Sequence, residues 1–403
     1  MIMNVLFLSD FEITPISGGV EKIVHVLTTN FRSDGMRCLL AYFQENKVGS
    51  RTEFDDYLFL EDGAKFSLIE DFIVRNRVDV IITAMSQKRH YMVYMPQLYA
   101  ITRPLGVKVI YGYYVMPGAD ARGVMDCSLA LHRIKNGEDK KAVLSQLFIT
   151  WCNRLGLNPL LNKLLKKKLS IARFADMVVV LSDAYIAKYK SLISNVIDVP
   201  FVAIPNPLMV DNNADNSSLE NKEHLVINVS RFDVVHKRQN DLIDIWKIVE
   251  KNKALSDWRL ILVGYGQDEK YLHDYAIKKG VKRVEFLKAQ DITLLSKKAS
   301  IYASTSAFEG LPMVIVEAMQ CGVVPVSVDS FDAVYDIIDD DKNGSIVRFG
   351  NKKEFAQKLS ALMSDDNRRK KMALASIEKS KNFDLDTVLA KWKSTINQIC
   401  NDN

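Results

Sequence analysis

In the stretch AFEGLPMVIVEAMQCG, residues 307–322, two carboxylates, Glu309 and Glu317, stand with seven residues between them. A glycine and a proline part the first glutamate from an apolar run that carries the second. Pro312 suits a first helical turn and Gly322 a helix C-terminus, so the stretch predicts a loop at Glu309 and a helix over 312–321. Gly310 admits close approach of a ligand. The backbone N–H groups around Leu311, Met313 and Val314, beside Pro312, are placed to receive a phosphate at the helix N-terminus. Glu309 can accept hydrogen bonds from the hydroxyls of a sugar. Glu317, about one turn further on, can accept two from vicinal ribose hydroxyls. The plainer role for Glu317 is to cap or solvate its helix. Its neighbours Val314, Ile315, Val316, Ala318 and Met319 are all apolar, however, and a charge in that setting needs a partner.

A second group follows an apolar run in NVSRFDVVHKRQN, residues 228–240, with Arg231 at the run's end and Lys237 six residues later. Two cations at one strand terminus suit a diphosphate, whose developing charge they would neutralise as a bond to it breaks. Two ordinary surface cations are the alternative. VGYGQDE (263–269) offers Gly264 and Gly266 in a strand-to-turn position. SGGVEK (17–22) offers Gly18 and Gly19 before a helix, where a backbone can approach an anion or simply turn tightly. Neither is the G-x-G-x-x-G of dinucleotide-binding proteins, which speaks against an NAD enzyme.

These residues need strands to carry them. Short, nearly continuous apolar runs recur: NVLFLS, RCLLAYF, DVIITA, VKVIYG and MVVVLS in the first half, then LVINVS, RLILVG, VEFL, SIYAS and VVPVSV in the second. Runs of this kind, alternating with helical segments, indicate parallel sheets buried on both faces, hence two doubly wound α/β domains. Ligands of such domains bind beyond the carboxyl ends of the strands, and two of them facing each other would form a cleft. The expected division is 1–205, with a helical insertion at 117–173, then 206–384. A last helix over 385–403 is free to close over either domain, including by crossing back to the first. The boundary lies near FVAIPNPLMVDNNADNSSLENKE (201–223), where two prolines and a polar tract prevent regular structure.

At 403 residues, 48% hydrophobic and 26% charged, the chain reads as a soluble two-domain globular protein. No stretch of about 18 uncharged apolar residues occurs. The N-terminus reads as a first strand, not a signal peptide. Five cysteines without paired spacing suggest a reduced cytoplasm and no zinc site. Residues 88–173 hold 15 basic residues against four acidic ones, whereas 201–403 are balanced at 29 each. That basic face is either solvated or meets phosphates or an anionic membrane. LLNKLLKKKLSIARF (160–174) sets leucines on one side and Lys163, Lys166, Lys167 and Lys168 on the other. It can pack on its own domain or lie on a membrane or acceptor.

RF…HK, GYG and FEGLPMVIVEAMQCGVVPV, in this order and with SGGVEK and PNP upstream, resemble a retaining glycosyltransferase of the GT-B fold, glycosyltransferase family 4. The resemblance runs through nearly the whole chain and is weakest over 117–173. It implies two Rossmann-like domains, a nucleotide-sugar held mainly by the second, and no metal ion or other cofactor. By position, Arg231 and Lys237 would hold the donor diphosphate, Glu309 the transferred sugar and Glu317 the ribose; Gly18 and Gly19 would approach the diphosphate from the other domain. Many members carry a histidine after the strand matching VKVIYGYYVMP. Here Tyr113 and Tyr114 occupy that region, as tentative neighbours of the sugar, while His90 and His132 lie elsewhere and read as structural or exposed. The implied activity is transfer from a nucleotide-sugar, with UDP favoured, to a carbohydrate or lipid-linked glycan in bacterial surface polysaccharide or lipopolysaccharide synthesis. The place is the cytoplasm, peripheral to the membrane; no nucleic acid partner is implied. The alternatives are a nucleotide-sugar epimerase and a binding protein without turnover. The sugar, the nucleotide, the acceptor and the oligomeric state are not legible in the residues.

Overall fold

A computed structural model describes residues 2–15, 19–46, 49–85, 88–119, 127–135, 137–155, 165–193, 197–209, 219–288 and 292–401. Gly18 and Lys163 lie outside the described residues, as does the side chain of His132.

The first sheet comprises β1 (Asn4–Phe11), β2 (Arg37–Gln44), β3 (Asp56–Phe59), β4 (Val80–Ala84), β5 (Lys108–Tyr113), β6 (Met177–Val180) and β7 (Phe201–Ala203). Its order is β3-β2-β1-β4-β5-β6-β7. The second comprises β8 (Leu225–Val229), β9 (Arg259–Val263), β10 (Val284–Leu287), β11 (Ile301–Ser304), β12 (Val324–Val328) and β13 (Ser345–Val347), in the order β10-β9-β8-β11-β12-β13. Neighbouring strands of both sheets pair in parallel. Every residue of β4, β8 and β12 is buried, as their unbroken apolar runs require of strands covered on both faces. Three short strands, β3, β7 and β13, have runs too brief to stand out by periodicity. β7 in fact opens the tract that reads as an irregular boundary.

The chain divides into two compact units. One is Met1–Gly118, Pro159–Met209 and Leu385–Asn403; the other is Ala119–Asn158 and Val210–Asp384. This corrects the reading of 117–173 as an insertion of the first domain. Residues 119–158 belong with the second unit because Ala130 and Val143 are buried in its core beside Val234, Leu242 and Trp246, with Leu147 packed against them. The last helix, Leu385–Asn401, belongs with the first unit. Val388, Leu389, Trp392, Ile396 and Ile399, at helical spacing, enter the core built on Phe7, Phe31 and Leu40.

Candidate functional site

In the second sheet β8 and β11 are neighbours, yet the chain leaves β8 towards β9 on one side and leaves β11 towards β12 on the other. Such a reversal of strand order opens a crevice beyond the strands' carboxyl ends. Arg231 and Lys237 follow β8; Glu309 follows β11. The crevice therefore receives both groups singled out by residue type.

The two loops are tied together. Lys237 Nζ donates to Glu309 Oε1 at 2.6 Å. The His236 ring stacks on Phe308, with centroids 4.2 Å apart, and its Nε2–H donates to the Phe308 carbonyl at 2.7 Å. The Ala307 N–H donates to the His236 carbonyl at 2.7 Å, and Thr305 Oγ1 donates to the carbonyls of Lys237 and Arg238. Burial by itself raises the Glu309 pKa. The Lys237 charge and the hydrogen bond and charge of His236 more than reverse this, and the carboxyl is held at about 2. Glu309 thus stays an anion through the physiological range and can only accept hydrogen bonds. It is not a general acid.

Arg231 is exposed and lies 3.3 Å from Asp233. Its position comes from beneath. Gln239, fully buried at the start of the helix Gln239–Val249, donates to the Arg231 carbonyl at 2.8 Å and to Ser230 Oγ at 2.9 Å. Gly264 and Gly266 are used here as well: a Cβ on either would lie 2.0 Å from the Ser230 carbonyl oxygen or 2.4 Å from that of Phe232. The Phe232 N–H donates to the Tyr265 carbonyl between them at 2.8 Å. The two glycines, expected among the donor-binding residues, let one loop seat against the next.

Glu317 is half-buried on the helix Met313–Gln320. The helix begins one residue later than expected, with Pro312 at the N-cap and no side-chain cap; the Met313 N–H donates back to the Leu311 carbonyl and the Ile315 N–H to that of Pro312, each at 2.9 Å. Leu311 and Pro312 are buried, while Met313 and Val314 are half-buried. Gly322 closes the helix in the left-handed region (φ 72°), its N–H donating to the Met319 carbonyl.

A residue with no sequence signal stands behind this site. Arg133, on the helix Cys127–Lys135 of the inserted segment, is buried against Asp268 at 2.8 Å and Asp233 at 3.4 Å, with Glu138 at 3.5 Å. Asp268 also accepts from the Val234 N–H at 2.7 Å. One guanidinium therefore ties the Arg231 loop, at Asp233, to the Gly264–Gly266 turn, at Asp268. His236 and Gln239 are two more residues to which residue type alone assigned no role. His236 sits inside the quoted HK pair; Gln239 and Arg133 carry nothing local that marks them.

In the first unit Gly19 begins the helix Gly19–Ser33 in open space: nothing lies within 4 Å of where its Cβ would be. Tyr113 is buried, edge-on to Tyr189 at 5.1 Å. The ring is part of an aromatic core with Tyr111 and Tyr189. Tyr114 packs against that unit's core, and its buried hydroxyl has no hydrogen-bond partner among the described residues; burial raises its pKa. In the lysine-rich segment Leu165 and Leu169, its two described leucines, are buried. Lys166 and Lys167 are exposed and Lys168 half-buried. Among the described residues no helix is long and apolar enough to cross a membrane, and no group of three or more His, Cys, Asp or Glu could hold a metal ion.

Residues 210–379 match the family model described as glycosyl transferases group 1. The chain is 28% identical over 269 residues to "Amylovoran biosynthesis glycosyltransferase AmsD" of Erwinia amylovora, covering 63% of this chain and 73% of that one. It is 27% identical over 188 residues to "GalNAc-alpha-(1->4)-GalNAc-alpha-(1->3)-diNAcBac-PP-undecaprenol alpha-1,4-N-acetyl-D-galactosaminyltransferase" of Campylobacter jejuni, covering 46% of this chain and 51% of that one. Among solved structures, HepE of Anabaena in complex with UDP superposes with a TM-score of 0.69 at 17% identity, over 98% of this chain and 100% of the other. Sucrose-phosphate synthase of Thermosynechococcus elongatus superposes at 0.72 with 14% identity, over 98% and 99%. At these identities the superpositions establish the fold.

Proposed function

We propose, from the match of residues 210–379 to glycosyl transferases group 1 and from the GT-B fold, a retaining, metal-independent transfer of a sugar from a nucleotide-sugar to a carbohydrate or lipid-linked glycan. The observation that carries the reading is the meeting of Lys237 and Glu309, 72 residues apart, at 2.6 Å beyond the ends of β8 and β11. In this reading the donor diphosphate lies against Arg231, Lys237 and the uncapped helix N-terminus at Met313. Lys237 has three donors, so it can keep Glu309 and still hold a phosphate oxygen. Glu309, held ionised, accepts from the sugar hydroxyls, and Glu317 accepts from the ribose.

As the anomeric C–O bond breaks, its electron pair goes to the β-phosphate oxygen, and Arg231 and Lys237 neutralise the charge that develops there. The acceptor oxygen bonds to the anomeric carbon on the face the diphosphate leaves, and its proton passes to the departing phosphate. Glu309 is fixed as an acceptor by its neighbours and takes no proton. UDP is the proposed nucleotide, by likeness to the solved complex of HepE with UDP. The proposed setting is bacterial surface-polysaccharide assembly at the cytoplasmic side of the membrane, by likeness to the amylovoran and undecaprenol-linked relatives.

The test is a panel of nucleotide-sugars screened by thermal shift, since a ligand that binds only the folded state raises its midpoint. The donor so found is then incubated with isolated bacterial lipid-linked glycans after treatment with a chelator. Transfer with the α-anomer retained, unaffected by the chelator, is expected. An inverted product, loss of transfer on chelation, or an altered free sugar formed without acceptor would overturn the reading.

A further inference from the structure

The inserted hairpin carries a surface for which the donor site has no use. The helix Lys140–Arg154 has two apolar sides. One is spent: Val143 is buried in the core of the second unit and Leu147 packs against it, with Thr150 and Cys152 also buried. On the other side Leu144, Phe148 and Trp151, with Leu155 just beyond the helix, recur at intervals of four, three and four residues, which makes one stripe. All four are more than half exposed, Trp151 at 62%. Leu131, on the preceding helix Cys127–Lys135, is exposed as well. A contiguous exposed stripe of large apolar side chains marks an interaction surface; scattered single ones do not.

Its surroundings indicate the partner. Lys135, Lys140 and Lys141 are exposed at the junction of the two helices, and Asp139 is the one fully exposed carboxylate described between them. Aromatic rings beside lysines, on a helix whose other side is anchored in the protein, are the pattern of a helix lying in the headgroup region of an anionic bilayer. A second copy of the chain would bring the same lysines towards their own counterparts. We propose that the stripe Leu144–Phe148–Trp151–Leu155 is a membrane-docking surface, with Phe148 and Trp151 entering the headgroup boundary of an anionic leaflet and Lys135, Lys140 and Lys141 facing lipid phosphates. This deepens the reading of a lipid-carried acceptor and rests on it for its purpose. Arg133 roots the same hairpin on the Arg231 loop, so docking holds the donor loops near the leaflet where such an acceptor lies.

The chain contains its own probe. Of its four tryptophans, Trp246, Trp258 and Trp392 are fully buried, which leaves Trp151 as the reporter of the surface. Emission of the full chain is recorded with phosphatidylglycerol vesicles and with phosphatidylcholine vesicles, each with and without brominated acyl chains. The expected result is a blue shift and quenching by brominated phosphatidylglycerol. Both disappear in the Leu144→Ser/Phe148→Ser variant, and the quenching disappears in Trp151→Phe, which still co-sediments. Replacing the three lysines by glutamine should weaken binding on the order of a hundredfold, from about 1 kcal/mol per cation near an anionic surface. Equal binding to phosphatidylcholine would overturn the role of the lysines. Unquenched Trp151 emission in protein that still binds UDP by calorimetry would overturn the docking surface while leaving the donor site standing. A vesicle-free dimer that shields Trp151 from acrylamide and is lost in the double serine variant would assign the stripe to a second copy instead. Failure of UDP binding with Trp151 still quenched by lipid would count against the donor site alone.

Discussion

Both sheets reverse strand order beside their first strand, and the two reversal points hold ionic clusters of opposite character. In the first unit Asp10, at the end of β1, meets His90 Nδ1 at 2.5 Å, and the other ring nitrogen meets Asp62 at 3.1 Å. Phe43 stacks on the imidazole at 4.1 Å, and Asp10 and His90 are each 1% exposed. Glu21 lies nearby, its pKa raised by burial and by the charge of Asp10. That cluster is acid-rich: Asp10, His90 and Glu21 are buried, and Asp62 is half exposed at its edge. In the second unit Lys237 and His236 gather round Glu309, and Arg231, beside Asp233, stands in solvent. The topology is shared; charge and access are not. An anion would find cations at one reversal point and buried carboxylates at the other, so side chains rather than fold set the two crevices apart.

The comparison breaks most severely at Arg133, which holds the open cluster from outside its own loops. Arg133→Met leaves Asp268 buried without its guanidinium, at a cost of about 3–5 kcal/mol in stability. Urea unfolding reads this directly, and a midpoint equal to that of the wild type would show that the clasp carries nothing.

Next is Lys237→Ala, which should lower kcat on the order of a hundredfold while changing the donor KM far less. Its counterpart at the first unit's reversal point is His90→Asn, expected to cost about 1–3 kcal/mol in stability and to leave donor affinity alone. Unchanged turnover in the folded Lys237 variant, or donor binding abolished in the folded His90 variant, would reverse the assignment of the two clusters.

Glu317→Gln should weaken nucleoside diphosphate binding by about tenfold with little change in kcat, since bonds to ribose serve ground and transition states alike. Calorimetry with the ribose and 2′-deoxyribose forms sharpens this: the variant should discriminate between them less than the wild type does. A deoxy form that loses as much affinity in both proteins would remove Glu317 from the ribose.

The last effect concerns pH. The Glu309 carboxyl, held at about 2 in the folded chain against an ordinary value of 4.5, contributes stability that is complete above pH 4.5 and is lost as pH falls towards 2. Denaturant midpoints of wild type and Glu309→Gln should therefore converge over that window. Curves that stay parallel would show that Lys237 and His236 do not hold the anion.

What was legible along the chain is what local rules decide. Unbroken apolar runs mark β4, β8 and β12, because a parallel strand buries both faces. Pro312 and Gly322 mark the ends of the site helix to within a residue, because each acts through its own backbone. The glutamates and the RF…HK cations could be singled out because charge at a strand end or inside an apolar helix is conspicuous in one dimension. Tertiary structure decided the remainder. Whether Lys237 would meet Glu309 depended on β8 and β11 lying side by side in the sheet, a fact of pairing rather than spacing. Tyr113 reads as a polar-tipped ring after a strand until Tyr189 is packed against it. The segment 119–158 interrupts the strands of one unit and belongs to the other, because Arg133 finds its carboxylates at positions 233 and 268. A buried cation goes where its counter-charges lie, and no local pattern contains a partner 100 residues away.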